Sequence, residues 1–212
     1  MAYDHEEQEQ LATLKAWWAQ YGNLVTWVLI LALACYAGWN GWKYYQRNQA
    51  TQAAQLYAEL QKARAGNDRE RVQRVTADMV ARFGNTAYGP MAALVAADSA
   101  VEASNLDTTR QQLQWVIDNA KDERSKAIAR LRLAGVLLDE KAYDQALKVL
   151  DGEIPEQFAG LAADRRGDIL VAQDKVADAR AAYQLALEKT DRNGPGRELI
   201  RLKLDALGGA AE

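Results

Sequence analysis

Ala129-Arg-Leu-Arg-Leu-Ala-Gly-Val-Leu-Leu-Asp-Glu-Lys-Ala-Tyr-Asp-Gln-Ala-Leu-Lys-Val-Leu150 is followed 33 positions later by Ala162-Ala-Asp-Arg-Arg-Gly-Asp-Ile-Leu-Val-Ala-Gln-Asp-Lys-Val-Ala-Asp-Ala-Arg-Ala-Ala-Tyr183. The two stretches pair Ala134 with Gly167, Tyr143 with Val176, Ala146 with Ala179 and Leu150 with Tyr183. Each reads as a helix with a small residue midway, a tight turn, and a second helix carrying an alanine and a large residue four positions on. The small side chain at 134 or 167 lets the second helix approach the first. The alanine lies at the crossing, and the large residue fills the space toward the next pair. A degenerate earlier copy runs Tyr88-Gly-Pro-Met-Ala-Ala-Leu-Val-Ala-Ala-Asp-Ser-Ala-Val101 and continues from Leu106 to Leu113. There Ala97 takes the small place and Thr109 the alanine place, 37 residues before Ala146.

Helix pairs repeating at such an interval resemble the tetratricopeptide family, whose members stack hairpins into a solenoid. That resemblance implies an all-α fold with three hairpins over residues 87–192, linking helices over 43–86 and a capping helix and tail over 193–212. It also implies a concave groove lined by the first helix of each hairpin. The groove-facing places fall on Met91, Leu94, Asp98 and Val101 in the first copy. They fall on Ile128, Leu131 and Leu138 in the second, and on Leu161, Asp164, Asp168 and Val171 in the third. The expected groove is apolar with an acidic edge, suited to an apolar or partly basic helix or extended segment. Composition agrees with helices throughout: Ala, Leu, Gln, Arg and Glu dominate, and the three prolines, Pro90, Pro155 and Pro195, fall between periodic segments. Flanking helices are expected over 46–65, over 69–83 with Gly84-Asn85 as its C-cap, and over 197–207 after the turn Asn193-Gly-Pro-Gly196.

Ahead of this array no Asp, Glu, Lys or Arg occurs from Ala16 to Trp42. Residues 21–42 reach the roughly 20 apolar residues that a helix needs to cross about 30 Å of hydrocarbon. Trp17, Trp18 and Tyr21 stand before the span, and Trp39, Trp42, Tyr44 and Tyr45 at its exit, where amphipathic rings suit the headgroup regions. The length favours a membrane span over a buried core helix. Residues 1–20 form an acidic leader, with Asp4, Glu6, Glu7 and Glu9 against Lys15, the reverse of a basic signal-peptide n-region. Leu31-Ala-Leu-Ala-Cys35 departs from a lipoprotein cleavage box at Ala32 and Leu33, so the segment reads as a retained anchor.

The net charge of −3 comes entirely from the leader. Removing Lys15 from the 26 basic residues and the four leader acids from the 29 acidic ones leaves 25 of each from Lys43 onward. A neutral domain lacks the positive field that phosphate contacts require, which argues against nucleic acid as a partner. The single cysteine, Cys35, lies in the span, and the single histidine, His5, in the leader. No zinc site of the Cys/His kind, nucleophile–base pair or phosphate loop can be assembled from the sequence, so neither a catalytic residue nor a cofactor or metal site is expected.

Read end to end, the chain resembles the ancillary subunit family of the bacterial SecYEG translocon. The landmarks are Leu14-Lys-Ala-Trp-Trp18 before Tyr21-Gly22, Gly41-Trp-Lys-Tyr-Tyr45 at the exit of the span, and Tyr88-Gly-Pro-Met-Ala-Ala-Leu94. Further on come Leu131-Arg-Leu-Ala134 with Ala146-Leu-Lys-Val-Leu-Asp151, and Arg166-Gly-Asp-Ile-Leu170 with Ala179-Arg-Ala-Ala-Tyr183. The resemblance implies a non-enzymatic scaffold in the bacterial inner membrane, crossing the lipid bilayer once, N-terminus cytoplasmic and hairpins periplasmic. Its implied partners are the SecYEG translocon and a membrane-anchored periplasmic chaperone of the prolyl-isomerase-like type, to which secretory proteins are handed on. An alternative implication is a regulator acting through the cytoplasmic leader on an envelope-stress response regulator. The charges beside the span do not favour the implied orientation: Lys43 and Arg47 follow it, against Lys15 and the α-amino group before it.

Overall fold

The computed structural model describes residues 2–192, 194 and 196–208, with side chains from Gln10 onward. The turn expected from Asn193 to Gly196 lies partly outside those residues, and the tail beyond Gly208 wholly so. Among the described residues every regular element is an α-helix: α1 (Ala2–Ala65), α2 (Arg69–Phe83), α3 (Tyr88–Glu102), α4 (Leu106–Asn119), α5 (Glu123–Asp139), α6 (Tyr143–Leu150), α7 (Glu156–Ala172), α8 (Val176–Lys189) and α9 (Arg197–Ala206). The chain divides into two compact units, Met1–Gln49 and Ala50–Glu212.

In the first unit α1 is long and apolar enough to cross a membrane by length and composition. Leu24, Trp27, Val28, Leu29, Ile30, Leu31, Leu33 and Tyr36 are all exposed, so no protein core claims this surface. Two of its polar side chains are answered on the same helix. Thr26 Oγ1 donates to the Gly22 carbonyl at 2.8 Å, and Asn40 Nδ2 donates to the Tyr36 carbonyl at 3.1 Å. Such bonds within one helix are what a hydrocarbon environment demands of polar groups. Of the seven flanking aromatics, Trp17 lies 5.7 Å from Tyr21 and Trp42 lies 6.3 Å from Tyr45, centroid to centroid. Trp18 and Tyr44 are exposed, and Lys43 Nζ stands 5.2 Å over the Trp39 ring.

The second unit is a run of helical hairpins closed by one recurring turn. Asn67, Ser104, Lys141 and Asp174 have positive φ of 52°, 56°, 60° and 57°. In each turn the next residue's N–H reaches back five positions: Asp68 to Ala63, Asn105 to Ala100, Ala142 to Leu137 and Lys175 to Leu170, at 2.8–3.0 Å. The positive-φ residue itself donates three positions back, to Arg64, Val101, Leu138 and Val171. These are the two bonds of a Schellman cap, and they leave the chain aimed for an antiparallel second helix. Asp68 and Asn105 then cap that helix with their side chains, accepting from the N–H of Arg71 at 3.0 Å and of Thr108 at 3.1 Å.

Four such hairpins therefore occur among the described residues. The sequence expectation of three, with 43–86 as linking helices, differs from this at the start. Residues 50–65 of α1 and α2 form a hairpin closed like the others, offset by 37 residues from α3 and α4. It is hard to see in the sequence because Leu60 occupies the small place held later by Ala97, Ala134 and Gly167. Val72 and Thr76 occupy the places of Ala146 and Leu150, and all three of these first-hairpin residues are nonetheless buried. The volume has been moved across the crossing rather than lost.

Three apolar clusters run along the unit. Ala53, Leu60, Ala63, Val72, Met79 and Phe83 pack with Ala92 and Ala96 of α3. Leu113, Val116, Leu133, Leu137 and Leu150 form the middle with Ile169. Ala179, Ala182, Tyr183 and Ala186 meet Ile200 and Leu204 of α9, so the last helix covers the final hairpin. Gly84 is the C-cap of α2, as the sequence implies, and takes a right-handed conformation with φ −54°. Close approach requires glycine at the start of the next helix: a Cβ on Gly89 would lie 2.7 Å from the Gly84 Cα.

Candidate functional site

The expected groove residues sit on the first helices, where spacings of three, four and three place them on one face. Met91, Leu94, Asp98 and Val101 lie on α3, Ile128, Leu131 and Leu138 on α5, and Leu161, Asp164, Asp168 and Val171 on α7. The structure divides them into two groups. Met91, Val101, Leu161 and Val171 are 41%, 50%, 53% and 37% exposed, more than a packed apolar side chain allows. Leu94, Leu131 and Leu138 are half-buried against the middle core, and Ile128 is half-buried as well. The face is thus a half-buried apolar floor with exposed apolar residues along it.

Its acidic edge is not free. Asp98 accepts from Arg132 Nη1 at 2.7 Å and lies 3.8 Å from Arg64 Nη2. Asp164 and Asp168 share Lys203 of α9, at 2.8 Å and 2.7 Å. Asp168 also accepts from the Tyr183 hydroxyl at 2.8 Å. Burial, followed by that bond, pushes the Tyr183 phenol well above its usual range. The carboxylates expected to meet a basic partner already hold neighbouring elements together. Gly135 stands where Asp98 does in the repeat, and a Cβ there would lie 3.6 Å from Arg165 Cζ. Arg165 is left with Asp168 at 3.8 Å.

The tetratricopeptide repeat-like domain family matches residues 15–209 of the chain. The ancillary SecYEG translocon subunit of Neisseria gonorrhoeae is 33% identical over 211 residues, 98% of this chain and all of the relative. The chain belongs to the ancillary SecYEG translocon subunit family. Proteins of the same name from Escherichia coli and Haemophilus influenzae are each 29% identical, over 95% and 98% of this chain and 96% and 100% of their own lengths.

Within this family member, sequence reasoning missed the first hairpin's share of the face. Counting 37 residues back from Met91, Leu94, Asp98 and Val101 leads to Ala54, Tyr57, Gln61 and Arg64. Gln61 Nε2 donates to the Tyr57 hydroxyl at 2.8 Å, and the Tyr57 ring lies 5.5 Å from that of Tyr88. The repeat offset was the signal that could have found them. Arg132 and Lys203 left no such signal, because ion pairs 34 and 39 residues apart in sequence depend on how hairpins stack. Among the described residues no three His, Cys, Asp or Glu side chains are grouped to hold a metal ion.

Proposed function

We propose that this protein is a non-enzymatic scaffold, anchored in the bacterial inner membrane by residues 21–42 and working beside the SecYEG translocon. Its relatives carry that channel in their names, and their alignment runs the length of the chain. The observation that carries the scaffold reading is the row of apolar residues left in solvent on the first helices, Met91, Val101, Leu161 and Val171. Side chains of this kind on a rigid helical surface supply binding free energy when a partner removes them from water, about 25 cal/mol per Å². In this reading the hairpins face the periplasm. The groove engages an apolar segment of a membrane-anchored, prolyl-isomerase-like chaperone, and secretory chains leaving the channel pass to that chaperone.

Photo-crosslinking from position 91 or 161 in intact membranes tests the scaffold. Adducts with channel subunits or a membrane-anchored chaperone support it, and their loss in a combined Met91→Asp, Leu161→Asp chain places the contact on this face. Adducts that persist unchanged in that variant, with helicity intact, would move the site elsewhere. Orientation is tested separately with a cysteine near Asp151 in a Cys35→Ala background. Labelling by an impermeant thiol reagent in intact spheroplasts supports a periplasmic array, and labelling only after lysis overturns it.

A further inference from the structure

A hollow among the described residues lies away from that groove. It holds about 590 Å³ between the second helices α4 and α6 and the far side of α5. On α5 it uses Arg130, Leu133 and Leu137, whereas the groove uses Ile128, Leu131 and Leu138. The two sets differ by one or two positions, which turns them to different faces of the helix. Its floor is apolar, formed by Ile117, Leu133, Leu137 and Val149, and its rim carries three cations, Arg110, Arg130 and Lys148, with no carboxylate among the lining residues.

The three cations differ in what already holds them. Arg110 is neutralised by Glu140 at 3.0 Å and by Asp107. Arg130 has no ion pair among the described residues; its Nη1 donates to the Glu153 carbonyl at 2.9 Å, which fixes the guanidinium without satisfying its charge. Gly152 makes this possible, because a Cβ there would lie 2.4 Å from Arg130 Nε. Lys148 is exposed in the last turn of α6 and has no ion pair among the described residues. Two cations without an ion pair among the described residues, one held in place by a glycine slot, therefore overlook an apolar floor in a domain whose net charge is zero.

We propose that this hollow is a second protein-binding site, taking an acidic, extended segment of a partner chain. A carboxylate of that segment sits between Arg130 and Lys148, and a neighbouring leucine or phenylalanine side chain rests on Leu133, Leu137 and Val149. Charge-assisted bonds to a carboxylate are among the stronger polar contacts, and a fixed guanidinium loses little freedom in making them. A peptide fits better than a lipid headgroup because the amides of exposed Gln145 and Gln114 flank the floor, the latter with its carbonyl oxygen open while its Nε2 donates to Asp118 at 2.9 Å. A peptide backbone offers both donors and acceptors to such amides, as a phosphate does not. This site is independent of the groove on the first helices.

The full chain in nanodiscs of neutral lipid would be titrated against a fluorescein-labelled hexapeptide alternating leucine and glutamate, read by fluorescence anisotropy at low salt. Saturable binding is expected, weakening with ionic strength. The Arg130→Gln, Lys148→Gln chain should bind at least about tenfold more weakly, and Gly152→Ala, which keeps both charges but displaces Arg130, should also bind less tightly. Equal affinity in the wild type and the Arg130→Gln, Lys148→Gln chain, with helicity unchanged, overturns the proposal. So does equal binding of a leucine–lysine hexapeptide. Absence of peptide binding, with uptake of phosphatidylglycerol that the charge variant loses, would make this a lipid site and overturn it too. The assay needs no translocon, so its failure is separable from failure of the groove reading.

Discussion

Replacing Lys203 by methionine tests whether one ammonium group secures the last helix. Its Nζ lies 2.8 Å and 3.0 Å from the two Asp164 oxygens, 2.7 Å from Asp168 and 5.6 Å from the centre of the Tyr183 ring. The lysine side chain is 25% exposed and each aspartate 20%, between the regimes of surface and buried pairs. Exposed pairs contribute about 0.2–1 kcal/mol, and breaking a buried one costs about 3–5 kcal/mol. Methionine keeps most of the packed stem but leaves two carboxylates one helical turn apart on α7 with their shared cation gone, and like charges at that spacing repel. A loss of about 2 kcal/mol is expected, confined to α9 because stacked repeats contact only their neighbours. Ile200 and Leu204, both buried, each contribute about 1.5–3 kcal/mol, so α9 stays docked. Its opening becomes easier by roughly 30-fold, since each 1.4 kcal/mol is a factor of about ten. Hydrogen exchange would show α9 amides exchanging faster by that factor, with α3 to α5 unchanged. Adding Asp164→Asn and Asp168→Asn should recover part of the protection by removing the repulsion. If α9 exchange in the Lys203→Met chain stays within about threefold of wild type, the clamp reasoning is wrong.

Three further substitutions probe other parts of the array. Gly167→Ala places a Cβ 2.4 Å from Tyr183 Cε1, so the ring must shift; overpacking of about 1–3 kcal/mol should lower the urea midpoint, and an unchanged midpoint would mean the crossing has slack. Thr76 Oγ1 is buried with no hydrogen-bond partner among the described residues, so Thr76→Val should raise stability by about 1 kcal/mol; a loss on denaturation would show that the hydroxyl is satisfied in solution. Tyr183→Phe should cost about 1–2 kcal/mol near neutral pH through the bond to Asp168. Because the folded phenol is raised above its ordinary value of 10.0, its contribution is full below that value and is lost as pH climbs through the higher folded one. The stability gap between wild type and Tyr183→Phe should therefore narrow above pH 10.0 and stay constant below it. A gap independent of pH across that range would refute the assignment.

Local chemistry is legible in the order of residues. The helix over 69–83 has the boundaries read from its pattern, because Asp68 supplies a cap and the apolar period stops at Phe83. The helix expected over 197–207 ends one residue earlier, at Ala206. Small residues at Ala134 and Gly167 imply a close second helix, and the Tyr183 ring does lie against Gly167. Each of these depends on neighbours within about one turn or on a volume that one residue declares.

The apolar run of 16–42, the all-helical class and the 33- and 37-residue repeats belong to the sequence alone, since hydropathy and periodicity are properties of consecutive residues. The tertiary structure alone decided that Leu60 with Val72 and Thr76 can close a hairpin in place of the small-residue pattern. It also decided that Asp98, Asp164 and Asp168 are ion-paired with Arg132 and Lys203. Packing conserves the sum of volumes and charges across a contact, and many distributions of the two satisfy the same sum. Which distribution a chain uses appears only when residues tens of positions apart are brought together.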